Sequence, residues 1–132
     1  MKIAIAACRF LLGLGFVVFG ANILRPFLPQ PPMDPSTPMA RFATVMMTSH
    51  WMALVGVFQV AGGLLVLLGR TAPLGLAFLA PVLVNILACH ICLMGGAGIG
   101  PGLVFTALEL FLLWAYRGYF APLFTTRAEP SL

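Results

Sequence analysis

The chain has 132 residues, of which 61% are hydrophobic and 8% are charged, and its mean hydropathy is +1.07. A soluble domain carries about a quarter charged residues, so this composition excludes a soluble protein and indicates an integral membrane protein in a lipid bilayer. The formal net charge of +4 does not indicate a nucleic-acid-binding protein, because membrane spans leave no room for a nucleic-acid module.

Four apolar runs follow one another, separated by glycine, proline or charged residues. They cover residues 3–24, 49–68, 73–94 and 101–119. Each is near the roughly 20 residues that a helix needs to cross about 30 Å of hydrocarbon. Unpaired backbone groups are costly in lipid, so each run should be helical. The predicted fold is an all-α integral membrane protein, a single bundle of four transmembrane helices over residues 1–132 with a proline-rich external loop between the first two.

Basic residues are distributed unevenly between the two ends of this bundle. Those at the termini and in the second loop are Lys2, Arg70, Arg117 and Arg127. Only Arg25 and Arg41 lie in the first loop, and residues 95–100 of the third loop carry no charge. Because cytoplasmic loops carry an excess of lysine and arginine, both termini are predicted to be cytoplasmic.

The first run has a face of small residues. At 100° per residue, Arg9, Gly13, Phe16 and Gly20 lie on the same side of a helix. Membrane helices approach one another closely along such faces, so this one should point into the bundle. The apolar stretch before Arg9 is too short for a signal peptide, and we expect the first run to be an uncleaved span.

The segment between the first and second runs is rich in proline, from Pro26 to Pro38. Such a run lacks the N–H donors of a helix or a sheet, so an extended, stiff external segment is predicted. Residues 39–48 contain enough helix-forming residues for a short interfacial helix, with Arg41 facing the lipid headgroups.

The third run contains the most unusual group of polar residues: Asn85, Cys89, His90 and Cys92. Polar groups at membrane depth need partners, so this stretch is the first place to look for function. On a helix, Asn85 and the two cysteines form one stripe, whereas His90 lies about 140° from Asn85. Asn85 is therefore expected to point into the bundle and His90 toward its outer mouth.

Two interpretations apply to Cys89 and Cys92, which form a CxxC pair. In the first, they are redox thiols that form a disulfide and exchange electrons with a quinone. In the second, they are small apolar packing residues, as buried cysteines usually are. The second is favoured, because a regular helix strains such a disulfide and the C-terminal end of a helix disfavours a thiolate.

His50 and His90 should lie at similar depths, since the second run begins and the third run ends on the outer side. His90 is a candidate proton donor and acceptor, or a ligand for a quinone or haem. The alternative is a neutral imidazole hydrogen-bonded to the proline-rich loop or to His50. A metal site is not predicted, because the chain has only 2 histidines.

Arg9 and Glu109 are ionisable residues well inside apolar runs. A lone charge is costly there, so a structural ion pair between them is predicted, fixing the first helix against the fourth. A proton relay or a polar contact to a ligand is the alternative. Gln59 and Asn85 are expected to hydrogen-bond between helices. The candidate ligand-binding residues are Asn85, His90, His50 and Gln59, and no catalytic residue is assigned.

Several segments along the chain match those of a known family. They are residues 9–22, 29–32, 60–70, 79–90 and 114–124. On these segments, which cover nearly the whole chain, the sequence resembles the DoxX-like family of small bacterial four-helix membrane proteins. Its most specific part is Ala80-Pro81 followed by Asn85-Ile86-Leu87 and His90. The resemblance implies a multi-pass protein of the bacterial inner membrane.

The chain also departs from the pattern of that family. Similar proteins usually have a glutamate where Gln59 stands and commonly a tyrosine where His50 stands. Aromatic residues are common at the positions of Cys89 and Cys92. These differences weaken a carboxylate role in the second helix and a redox role for the CxxC pair.

The resemblance also suggests functions. The family is named after a relative of a subunit of an archaeal thiosulfate:quinone oxidoreductase, which implies an accessory or quinone-interacting component of a membrane redox system. The alternative is a non-catalytic structural subunit that stabilises a larger membrane protein complex, packed against other subunits or further copies of the chain. An oligomeric permease is a third hypothesis, with Gln59, Asn85 and Glu109 along a polar path. The sequence does not decide whether the protein is an enzyme.

Overall fold

The structure, a computed structural model, describes residues 1–126 and 130, and every regular element within them is helical. The elements are α1 (Lys2–Leu24), α2 (Pro38–Thr48), α3 (Trp51–Leu67), α4 (Ala72–Met94), α5 (Gly100–Ala115), α6 (Arg117–Phe120) and a 3₁₀ turn (Ala121–Phe124). Arg127, one of the basic residues behind the predicted orientation, lies outside the described residues. The predicted all-α fold is confirmed.

Within the described residues, two helices are long and apolar enough to cross a membrane alone. These are α1 and α4, with 23 residues each. α2 and α3 meet the same criterion as a pair bent by 84°, and α5 meets it with Arg117–Phe124 as a pair bent by 76°. By length and composition the chain therefore has two spans, or up to four if each bent pair is one span. The protein is an all-α membrane protein.

The helices α1, α3, α4 and α5 pack as a ring in which α1 and α4 each contact both α3 and α5. The centre of the ring is filled by buried apolar side chains: Leu12, Phe16, Val66, Leu76, Leu79, Leu83 and Leu112. We call the end of the ring that carries residues 25–50 and 95–99 the loop end, and the opposite end the termini end. α1 begins at the termini end, and residues 117–124 lie there as well.

The helix predicted over residues 39–48 is present as α2. The hydroxyl of Thr37 accepts a hydrogen bond from the N–H of Ala40 (3.2 Å), and Pro38 occupies the first turn, where its missing N–H is not needed. His50 then adopts a left-handed conformation with φ of 60°, which a regular helix does not contain. The second run, predicted to begin at residue 49, therefore begins as α3 at Trp51.

The fourth helix was predicted over residues 101–119, and the prediction of its C-terminal end is wrong. It ends as α5 at Ala115, and the chain bends there. The guanidinium of Arg117 donates a hydrogen bond to the carbonyl oxygen of Trp114 (3.0 Å), one of the acceptors that the end of the helix leaves unpaired. Because the sequence stays apolar beyond the bend, its hydropathy predicted a C-terminal end of the helix that lies beyond the observed one.

The helices α1 and α3 are in backbone contact at two pairs of glycines. A Cβ atom added at Gly63 would lie 2.6 Å from the carbonyl oxygen of Gly13, and one added at Gly20 would lie 2.9 Å from that of Gly56. These distances leave no room for any side chain. The expectation that the small-residue face of the first run points into the bundle is confirmed, since Gly13, Phe16 and Gly20 are buried.

The substitution Gly63→Ala is expected to destabilise the bundle by about 1–3 kcal/mol, because its methyl group would overpack against the α1 backbone. The control is Gly100→Ala, at a position where an added Cβ meets nothing within 4 Å. Unfolding by a denaturing detergent, followed by circular dichroism, measures both. Equal transition midpoints for the two variants would contradict backbone contact between α1 and α3.

Candidate ligand cavity

A cavity of about 300 Å³ opens at the loop end of the ring, where residues of α1, α2, α3, α4 and α5 line it. Most of its wall is apolar, with phenylalanine, methionine, valine, leucine and isoleucine side chains. Its size is at the lower end of the range of small-molecule sites, which are typically about 300–1,000 Å³ and mainly apolar with a few polar groups. The cavity is therefore the first candidate for a functional site.

The short helix α2 covers the cavity. Met39, Phe42 and Met46 are spaced three and four residues apart, so they share one face, and all three line the cavity. Arg41 is exposed. α2 contacts α3 and α4. This helix therefore acts as an apolar lid, whose methionine side chains adapt readily to a guest of irregular shape.

Three of the four candidate ligand-binding residues meet in this cavity. Gln59 lies in its wall from α3, and Asn85 and His90 line it from α4. The fourth, His50, is exposed and lies outside the lining. The left-handed backbone conformation of His50 separates α2 from α3. His50 therefore determines the direction of the chain and does not contribute to the cavity wall.

Gln59 is buried in the wall, with 4% of its surface exposed. Its side-chain oxygen has no hydrogen-bond partner among the described residues. The backbone of α1 lies against it, since a Cβ atom added at Gly20 would be 2.8 Å from the Cβ of Gln59. Buried polar atoms are nearly always paired, so this amide requires a partner that the described residues do not supply.

The imidazole of His90 is oriented by its own helix. Its Nδ1 lies 2.8 Å from the carbonyl oxygen of Ile86. A carbonyl oxygen only accepts, so Nδ1 carries a proton, and in the neutral ring Nε2 is left as an acceptor. The proline-rich loop and His50 were the alternative hydrogen-bond partners considered for this imidazole, and the carbonyl group of Ile86 takes their place. The imidazole lines the cavity, and its Nε2 edge is also near the loop, since a Cβ added at Gly98 would lie 3.9 Å from Nε2.

Asn85 lies at the rim of the cavity. The sequence placed it toward the bundle interior, but the structure leaves it exposed, without a hydrogen bond to any described residue. The 140° that separates Asn85 from His90 on the helix does not keep them apart, because the cavity wraps around α4 and reaches both. The two residues therefore mark opposite edges of one wall.

Asn22 also lines the cavity, which the pattern of the sequence did not indicate. It is buried, and its side-chain oxygen accepts hydrogen bonds from the N–H groups of Phe27 (2.9 Å) and Leu28 (2.8 Å). It thereby ties the proline-rich segment to the end of α1. The signal was an asparagine in the last turn of a helix before a proline run, where such side chains often bond the following backbone.

The predicted ion pair between Arg9 and Glu109 is not made. The guanidinium of Arg9 lies against Gly69 and donates to the hydroxyl of Tyr116 (3.3 Å), whereas both carboxyl oxygens of Glu109 lack a partner among the described residues. Tyr116 follows Glu109 by about 10 Å along the helix axis. Arg9 thus extends toward the termini end of the ring, in the manner of long basic side chains that reach out of an apolar environment.

Cys89 and Cys92 are both free thiols. Cys89 lines the cavity and is half-buried, whereas Cys92 is exposed and lies outside the lining. The two cysteines of the CxxC pair therefore have different surroundings. Within the described residues, no group of three histidine, cysteine or acidic side chains is placed to hold a metal ion.

The geometry can be compared with known proteins. The sequence profile of the DoxX family matches residues 4–91, which is more than half of the chain. The chain belongs to the DoxX family. The matched segment of this DoxX protein includes Gln59, Asn85 and His90, and it leaves out Cys92 and Glu109. Neither the curated proteins nor the solved structures include a significant match.

The substitution Glu109→Gln separates the observed geometry from the predicted ion pair. Breaking a buried pair costs about 3–5 kcal/mol, whereas removing a buried carboxyl that has no partner costs nothing or stabilises the fold. We expect no loss of stability for Glu109→Gln in a detergent unfolding titration. As the reference, Tyr116→Phe should lose about 1–3 kcal/mol, because it removes the hydrogen bond from Arg9. A loss of several kcal/mol for Glu109→Gln would contradict the observed geometry and support the predicted ion pair.

Proposed function

We propose that this DoxX-family membrane protein binds the head group of a lipid-soluble quinone in the loop-end cavity, as an accessory component of a membrane redox system. The observation that carries the proposal is the set of three polar side chains, Gln59, Asn85 and His90, around an otherwise apolar cavity. Two of them, Gln59 through its oxygen and Asn85, lack partners among the described residues.

The chemistry of a quinone suits this set of groups. Its ring is flat and apolar, and its two carbonyl oxygens accept hydrogen bonds, which the amide groups of Gln59 and Asn85 can donate. In the reduced form, a quinol, the same oxygens carry protons, which neutral Nε2 of His90 and the amide oxygens can accept. One site can thus hold both redox forms. The electrons come from a partner protein, and this chain contributes binding and orientation.

The proposal includes an orientation in the membrane. Lys2, Arg70 and Arg117 lie at the termini end, and Arg25 and Arg41 lie at the loop end. The greater basic charge of the termini end supports placing both termini in the cytoplasm, with the protein in the bacterial inner membrane. The cavity then opens toward the outer leaflet, where the lid α2 lies along the membrane surface.

The test is a binding titration of a water-soluble, tail-less quinone to the protein in lipid nanodiscs. We expect His90→Asn and Gln59→Leu each to weaken binding about tenfold, which corresponds to the loss of roughly 1.4 kcal/mol from one hydrogen bond. The matched control is His50→Asn, outside the cavity, where asparagine also tolerates the left-handed conformation. It should bind like the wild type.

Two results would contradict the proposal. If the wild-type protein binds no quinone, the cavity has no such ligand, and the alternative of a structural subunit that stabilises a larger membrane complex is favoured. If His90→Asn and Gln59→Leu bind as tightly as His50→Asn, the quinone lies elsewhere on the protein. The same preparations should unfold at similar temperatures, so that a change in affinity reports on the site.

A further inference from the structure

A second depression lies on the outside of the bundle, beside the cavity. It is an open, largely apolar groove between α4 and the junction of α2 with α3, with a volume of about 490 Å³. The side chains that line both the groove and the cavity are Phe42, Met46, Val55, Val82 and Asn85. Trp51 and Pro81 line the groove alone. Because one set of side chains forms the partition, the two spaces are neighbours across a single layer of residues.

The position of Asn85 links this groove to a ligand. It lies in the partition, exposed, at about 20 Å from the termini end of α4 and about 14 Å from its loop end. This depth falls within a hydrocarbon core of about 30 Å. An exposed amide is expensive there unless a polar group is available to it. A molecule with its polar head in the cavity and its apolar part in the groove would supply that group.

We infer that the groove is the lateral passage by which the ligand reaches the cavity from the bilayer, and that the hydrocarbon tail of the bound ligand lies in it. This inference rests on the proposed quinone site and specifies its ligand as a quinone with a long isoprenoid tail. The ligand would cross the partition between the two spaces, which Phe42 and Met46 of α2 and Val82 and Asn85 of α4 form.

The groove contributes to binding through its shape. Lipid chains are as apolar as the groove, so a tail gains little hydrophobic energy when it leaves the bilayer. A head group inside the cavity nevertheless needs an opening through which its tail can leave. Filling the groove should therefore exclude a tailed quinone and spare a tail-less one with the same head group.

The substitution Pro81→Trp tests this, because Pro81 lines the groove and does not line the cavity. Val84→Trp is the matched control, since Val84 is 68% exposed on the same helix and lines neither space. Dimethoxy-methyl-benzoquinone is titrated without a tail and with a polyisoprenoid tail, in nanodiscs. We expect Pro81→Trp to bind the tail-less quinone like the wild type and the tailed one at least about tenfold more weakly.

The outcomes separate the two proposals. Unchanged binding of the tailed quinone by Pro81→Trp, or an equal loss for both quinones, would overturn the groove while leaving the cavity site standing. Absence of binding of both quinones by the wild-type protein would overturn the cavity site and the groove together. Val84→Trp should bind both quinones like the wild type, and a loss of tailed quinone there equal to that of Pro81→Trp would also overturn the groove.

A second measurement leaves the groove unaltered. The chain has 2 tryptophans, so Trp114→Phe leaves Trp51 as the single tryptophan, which is excited selectively over tyrosine at long wavelength and lies in the groove. A quinone with a brominated tail should quench Trp51 more strongly than the same quinone with an unbrominated tail. In Trp51→Phe, where Trp114 reports from the termini end, bromination should add no quenching. Equal quenching of Trp51 by both quinones would contradict a tail in the groove.

Discussion

The close approach of α1 and α3 at their glycines is the contact on which the rest of the structure depends. Lipid chains are as apolar as the helix surfaces, so the bundle is held by packing at short range, which requires residues without side chains. Gly13 meets Gly63, and Gly20 meets Gly56. Gln59 lies between these contacts on the same face of α3, so its amide is held inside the protein even though no residue in the described part of the chain pairs with its oxygen.

The cavity follows from what happens beyond that contact. At the loop end, Asn22 fixes the start of the proline-rich segment, and the left-handed His50 turns the chain from α2 into α3. Between these two points α2 lies across the end of the ring as a lid. The space beneath it is bounded by methionine, aliphatic and aromatic side chains, and the polar side chains of Gln59 on α3 and of Asn85 and His90 on α4 line it as well. A small, mostly apolar ligand with few hydrogen-bonding atoms fits such a site.

Much of the fold could be predicted because apolar length and glycine spacing act locally. The length of the runs predicted the helices, and the spacing of Gly13 and Gly20 predicted the tight face. The predictions that were wrong concern side chains for which the sequence offers several possible partners. Opposite charge alone predicted a pair of Arg9 with Glu109, whereas the structure pairs Arg9 with Tyr116 at the end of α5. Positions on a helical wheel likewise separated Asn85 from His90, because a wheel carries no information on how far a cavity extends around α4.

Occupation of the loop-end cavity by a lipid-soluble quinone is tested most directly by mass spectrometry of the small molecules that remain bound to the protein after mild extraction from the membranes in which it is naturally made. We expect quinone to be enriched over its proportion in the surrounding lipid, and Gln59→Leu, purified in the same way, to lose this enrichment. Quinone at no more than the membrane proportion in the wild-type protein would contradict a quinone site in the cavity.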